Sequence, residues 1–187
     1  MAAEEITGFV DDSQGFGPEV GQSLRLLYDQ EGLYVGVRYE TVPGQALRAE
    51  HTERDDANLW RDECVEVFLN PGGDRDSYFQ FIASVAGVQS DLRFVDAKTA
   101  RRNWDEARQW DGSWQVATTR GKDYWTAELL IPWETVGVAV GASQTIGLNV
   151  SRKYAPVGDA VIHSYTPAGI PVHGVESYLP LEVDLTE

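Results

Sequence analysis

Apolar and polar residues alternate with a period of two along most of this chain, the pattern of strands with two unlike faces. "SLRLLYD" and "EGLYVGVRYE" flank a "DQEG" turn and predict a hairpin. "ECVEVFLNP", "SYFQFIASV" and "GVQSDLRFV" follow. "GSWQVATTR" and "YWTAELLIPW" are joined by a tight "GKD" turn, and "QTIGLNVSRKY" and "SYLPLEVDL" complete the set. Long amphipathic helices are missing. "PWETVG" predicts one helical turn, with Pro132 at its start and Gly137 closing it. About nine short strands separated by turn signals predict an all-β, jelly-roll-like sandwich of two antiparallel sheets. No linker or repeat interrupts the pattern, so residues 1–187 are expected to form a single domain. Residues 96–112 and 154–177 are long irregular segments, and such loops on a rigid sheet often carry function.

Alternation also assigns faces. In "LWRDECVEVFLNP", residues 59–71, Val65, Val67 and Leu69 share a core face. Trp60, Asp62, Cys64, Glu66 and Phe68 share the other. Phe79, Phe81, Ala83 and Val85 oppose Tyr78, Gln80, Ile82 and Ser84. Val88, Leu92 and Phe94 oppose Gln89, Asp91 and Arg93, while Ile146, Leu148 and Val150 oppose Asn149 and Ser151. If these strands are neighbours, Glu66, Gln80, Arg93 and Asn149 meet on one sheet face, with Trp60 near one end. A sugar needs that combination of a flat apolar ring for its C–H groups and polar partners for its hydroxyls. The alternative is an ordinary antiparallel sheet with one solvated face.

Composition narrows the partners. Thirty acids against fifteen bases give a net charge of −15, which repels phosphate backbones and makes nucleic acid an unsuitable ligand. No stretch is long enough for a membrane helix. Hydrophobic residues at 42% and aromatics at 11% suit a packed globule. One cysteine, Cys64, excludes an intramolecular disulfide and a thiolate zinc site, and its apolar strand predicts an inert buried thiol. "MAAEEITGFV" lacks the basic start and apolar run of a signal peptide, so any export signal is expected to have been removed.

The segments "YDQEGLYVGVRYE", "LWRDECVEVFLNP", "SYFQFIASVAGVQSDLRF", "WTAELLIPWETVGV" and "IGLNVSRKY", in this order and spacing, resemble carbohydrate-binding module family 9 and related DOMON-like β-sandwiches. "HGVESYLPLEV" matches more loosely, and the family's opening segment is shortened here. The resemblance implies a non-catalytic module, often with structural calcium, that binds oligosaccharide or polysaccharide. It further implies a monomeric part of a larger secreted or periplasmic protein, targeting a parent enzyme to polysaccharide. In the family a terminal sugar is clamped between two aromatic rings. Trp60 matches the first ring and Glu66, six residues later, matches a Glu that contacts hydroxyls. Tyr165 in "HSYTPAG" stands where the second ring is usually Trp. Asn149 and Arg152 fit the family's "N..R" pattern, Arg152 alternatively as a structural charge. A structural or interaction domain that kept the fold and lost the sugar is the competing reading.

Other chemistry is weaker. Asp74 and Asp76 in "NPGGDRDS" are candidate calcium ligands, with a solvated turn as the alternative. Met1 is the only methionine and no haem-attachment run exists, so haem is not expected. "DECVE" is similar to the acidic strand of laminarinase-like glycoside hydrolases. Four residues of strand, however, put Asp62 and Glu66 about 13 Å apart. Hydrolysis needs roughly 5 Å with retention and at most about 9.5 Å with inversion. Trp125 and Trp133 read as core, and His173 as structural. Trp104, Trp110 and Trp114 fall in or beside the first long loop, where a hydrophobic plug is the more common outcome and one ring lining the site is the alternative.

Overall fold

The computed structural model describes residues 3–11, 20–98, 103–158, 163–167 and 172–186; the side chains of residues 11, 163–166 and 177 lie outside the described set. One sheet contains β3 (Gln22–Tyr28), β4 (Gly32–Glu40), β8 (Gln115–Arg120) and β9 (Tyr124–Pro132), with β1 (Glu5–Ile6) at its edge in the order β1-β3-β4-β9-β8. The other contains β5 (Cys64–Asn70), β6 (Tyr78–Ser84), β7 (Gln89–Phe94) and the long β10 (Ser143–Tyr154). β2 (Val10–Asp11) and β11 (His163–Thr166) extend it in the order β2-β11-β10-β5-β6-β7, and β12 (Leu179–Asp184) also pairs with β10. All pairings between named strands are antiparallel. β10 is the organiser: Gly147–Lys153 pairs with β5 on one edge. On the other edge, Ser143–Leu148 pairs with β12 and Arg152–Tyr154 with β11.

Local chemistry closes the turns as the sequence expects. Asp29 Oδ1 accepts the amides of Glu31 and Gly32, which tightens the first hairpin. Pro132 caps the helical turn α2 (Trp133–Val136), and Gly137 ends it at φ +72°, a left-handed conformation suited to glycine. The short strands β1, β2 and β11 and the helical turn α1 (Trp104–Ala107) are too brief to leave a periodic signal in the sequence.

The inward faces meet in one core. Val65, Val67, Leu69, Phe79, Phe81 and Ala83 pack against Leu33, Val35, Val37, Trp125, Ala127 and Leu129. Trp125 and Trp133 are both 1% exposed. At one end of this core lies a buried ion pair. Arg152 Nε donates to Glu63 Oε1 at 2.7 Å, Trp125 Nε1 donates to the same oxygen at 2.8 Å, and the Ala155 amide reaches Oε2 at 2.9 Å. Burial pushes the Glu63 carboxyl up, against the pull of Arg152 and these donors. Arg152 is therefore the structural charge that the sequence left as an alternative.

A solvated second face does not exist on β5 and β6, which are buried at every position on both sides. The outer face of this sheet carries a second hydrophobic cluster built from Leu59, Phe68, Tyr78, Ile82, Leu92, Phe94, Ala107, Val172 and Val175. The segments around α1 and residues 172–178 cover it.

Replacing Arg152 by Met strands a buried carboxylate, so folding stability falls by about 3 kcal/mol or more. Guanidinium denaturation of Arg152→Met and of Arg152→Met/Glu63→Gln checks this. The double variant recovers part of the loss, whereas equal stability of wild type and Arg152→Met contradicts the account.

Candidate functional site

A cavity of about 500 Å³ opens over this outer face. Its floor comes from three adjacent strands. The register aligns Ser151 with Glu66, Glu66 with Ile82 and Ile82 with Ser90 in one row. Asn149, Phe68, Gln80 and Leu92 form the next row. Glu66, Gln80, Ile82, Ser90 and Leu92 line the cavity, and Gln80 Nε2 donates to Glu66 Oε2 at 3.3 Å. Gln80 is 2% exposed, and its Oε1 has no hydrogen-bond partner among the described residues. Such a buried acceptor calls for a donor, from water or from a bound molecule.

Trp60 stands at the rim. The expected continuous strand from residue 60 is corrected: Leu59–Arg61 forms a 3-10 turn, and the strand begins at Cys64. Leu59, fully buried, pins that turn into the outer cluster and leaves Trp60 36% exposed beside the cavity. Asp62, also fully buried, accepts the His51 amide and faces His51 Nδ1, each at 2.9 Å. It does not line the cavity with Glu66. Cys64 is sealed, and burial pushes its thiol well above its ordinary value.

The opposite wall comes from the loops. Trp104 of α1, Arg108 just beyond it, and His173 all line the cavity. Trp104 meets Phe94 and His173 edge-on, each with ring centroids 5.2 Å apart, and the Tyr78 hydroxyl lies 2.9 Å from His173 Nδ1. The α1 loop is tied to β7 through Asp91. That carboxylate accepts the Gly112 amide, Trp114 Nε1 and Arg54 Nη2, and burial pushes its pKa up. Arg54 also reaches Asp111 and the Gly112 carbonyl. Trp110 and Trp114 close the loop over Phe79 and Phe81, as a plug rather than a binding wall.

A larger hollow of about 790 Å³ lies on the outer face of the five-stranded sheet, around Tyr34, Gly36 and Ala117. Among the described residues, no buried polar atom lacking a partner lines it. The chemistry is concentrated over β5 and β6.

Residues 4–162 match the model described as "Carbohydrate family 9 binding domain-like". The chain belongs to that family. No curated protein matches the sequence. Among solved structures, a presumed carbohydrate-binding protein from Bacteroides uniformis ATCC 8492 superposes with a TM-score of 0.70 at 18% identity, over 97% of this chain and 87% of that one. A family 9 carbohydrate-binding module from Caldicellulosiruptor kristjanssonii in complex with glucose gives a TM-score of 0.62 at 12% identity, over 88% of this chain and 73% of that one. Its complex with cellotriose gives 0.60 at 13% identity, over 88% and 71%. At these identities the likeness establishes a shared β-sandwich fold.

Within this family 9 domain the sequence-expected residues are placed unequally. The assumption that their strands are neighbours holds, and Trp60, Glu66 and Gln80 come together around the cavity. Asn149 is buried on the same face but does not line it. Arg93 is a correction. It pairs with Phe79, points to the opposite face and lies exposed with its guanidinium 5.7 Å from the Phe79 ring centre. The outer face has its own core, so Leu92 and Phe94 serve that core and Gln89, Asp91 and Arg93 turn away. Tyr165 pairs its backbone with Arg152, and its side chain lies outside the described residues. Asp74 Oδ1 accepts Asn70 Nδ2 and the Asp76 amide within its own turn. Calcium takes six to eight oxygens. Among the described residues no group of three or more His, Cys, Asp or Glu converges, so carbonyl and amide oxygens and water would have to supply the rest of a calcium shell at Asp74 and Asp76.

Arg108, Lys153 and His173 were missed as lining residues, and Trp104 is the one of the three loop tryptophans that lines the cavity. Lys153 was legible, since it shares the period-two face of Asn149 and Ser151. The loop residues had no such signal.

Asp91→Ala removes the acceptor of three donors, and stability falls by about 1–3 kcal/mol. Hydrogen exchange should speed up most at residues 103–114. A uniform change, or none, contradicts the role of Asp91 as the loop's anchor.

Proposed function

We propose that the cavity binds a saccharide, with Trp60 and Trp104 supplying the apolar ring surfaces and Gln80 and Glu66 the polar contacts. The single observation that carries this reading is Gln80, which lines the cavity and whose buried Oε1 has no partner among the described residues. A sugar hydroxyl is a donor of the right kind, and an adjacent indole suits the C–H face of the same ring. The cavity's volume lies within the range of small-molecule sites. Membership of a carbohydrate-binding family supports the same ligand class, and the Caldicellulosiruptor structures of this fold hold glucose and cellotriose.

The reading is binding without chemistry. Asp62, the carboxylate that strand spacing sets nearest to Glu66 on one face, is buried against His51. The chain then serves as the sugar-recognising module of a larger secreted or periplasmic protein and brings a parent enzyme to polysaccharide.

Titration calorimetry against gluco-, cello- and xylo-oligosaccharides tests the proposal. Trp60→Ala should weaken binding by about 2 kcal/mol, roughly 30-fold, with folding stability preserved because the indole is at the rim. Unchanged affinity rejects Trp60 as the platform, and no binding of any sugar by the wild-type chain rejects the reading as a whole.

A further inference from the structure

Two basic side chains line the cavity, Lys153 from β10 and Arg108 from the α1 loop. In a chain with 30 acids and 15 bases, a half-buried cation has many potential acid partners. The Lys153 side chain nevertheless has no hydrogen bond or ion pair among the described residues. It projects from the sheet beside Cys64, on the same face as Glu66. Arg108 has one loose ion pair, 3.6 Å to the fully exposed Asp105, which water and competing anions displace readily, and its guanidinium lies 5.6 Å from the Trp104 ring centre. The two acids that line the cavity have other engagements. Glu66 Oε2 accepts from Gln80, and Asp56 Oδ1 accepts the Asn58 amide.

A half-buried cation that makes no ion pair of its own favours a ligand that brings an anion to it. Resting on the saccharide reading above, we infer that the preferred ligand is an acidic sugar, a uronic acid or an oligosaccharide carrying one. Lys153 receives the carboxylate and Arg108 reinforces the field from the covering loop. The long-range field of the molecule opposes this choice, since a net charge of −15 repels anions. The discrimination is therefore local, made by contact inside the cavity.

Matched pairs isolate the carboxylate: glucose with glucuronic acid, galactose with galacturonic acid, mannose with mannuronic acid, and xylotriose with its glucuronosyl-branched form. Calorimetry on the whole chain should find at least one pair whose acidic member binds about tenfold tighter or better. Lys153→Gln should reduce that advantage to about threefold or less, the acidic member losing more affinity than the neutral one. Arg108→Gln, on the loop rather than the sheet, should lower the acid's affinity in the same direction and serves if the Lys153 variant fails to fold. Equal or tighter binding of the neutral member in every pair overturns the inference and leaves the saccharide reading standing. So does an acid preference that survives both substitutions. Absence of binding by every member of every pair overturns the saccharide reading and this inference with it.

Discussion

A polar side chain buried on the outer face of a sheet has to be answered by another polar group. Gln80 imposes that condition on one surface of this sandwich. Its amide nitrogen is satisfied by Glu66, whereas its carbonyl oxygen, buried beside the cavity, has no partner among the described residues. An ordinary sheet face would let water meet the demand. Here β5 and β6 are buried on both sides, and a second hydrophobic cluster surrounds the pair. The result is a polar floor inside an apolar frame, with Trp60 at its rim. That arrangement suits a ligand with hydroxyls along its edge and C–H groups on its face.

The two halves of the molecule divide the work. Between the sheets, hydrophobic packing and the Glu63–Arg152 pair hold the scaffold together. Outside the seven-stranded sheet, loops build the wall of the site and need anchors of their own. Asp91 supplies one, gathering Arg54, Gly112 and Trp114 at the edge of β7. Leu59 supplies another, pinning the turn that presents Trp60. A change in either anchor acts on the site through position rather than through ligand contact.

Much of this was legible along the chain, because strands announce themselves by alternation. The faces of Glu66 and Gln80 followed from counting, as did the burial of Val65, Val67 and Phe81. Arg93 shows where counting fails. Alternation says which residues share a face, and not which face looks inward. Leu92 and Phe94 would mark the inner face of an ordinary sandwich strand, but this sheet has an outer core as well, and they belong to it. Trp60 was placed near the site although it sits on a turn rather than on the strand. Trp104, Arg108 and His173 come from irregular segments whose path depends on contacts such as Arg54–Asp91, formed between residues 37 apart, and no local pattern encodes them. Family resemblance carried the overall architecture further than periodicity did, and pointed to Trp60 and Glu66 before any geometry was available.

Amide and indole NMR during a titration with cellotriose and glucuronic acid tests the central claim most directly. The chain has six tryptophans, whose indole N–H signals report separately on rim, wall and core. The account predicts that the Trp60 and Trp104 indoles and the Gln80 side-chain amide move together as a saccharide is added. Trp125 and Trp133, packed in the inner core, should stay still. Shifts centred on Tyr34 and Gly36 of the other sheet, or no shift with either sugar, would contradict it.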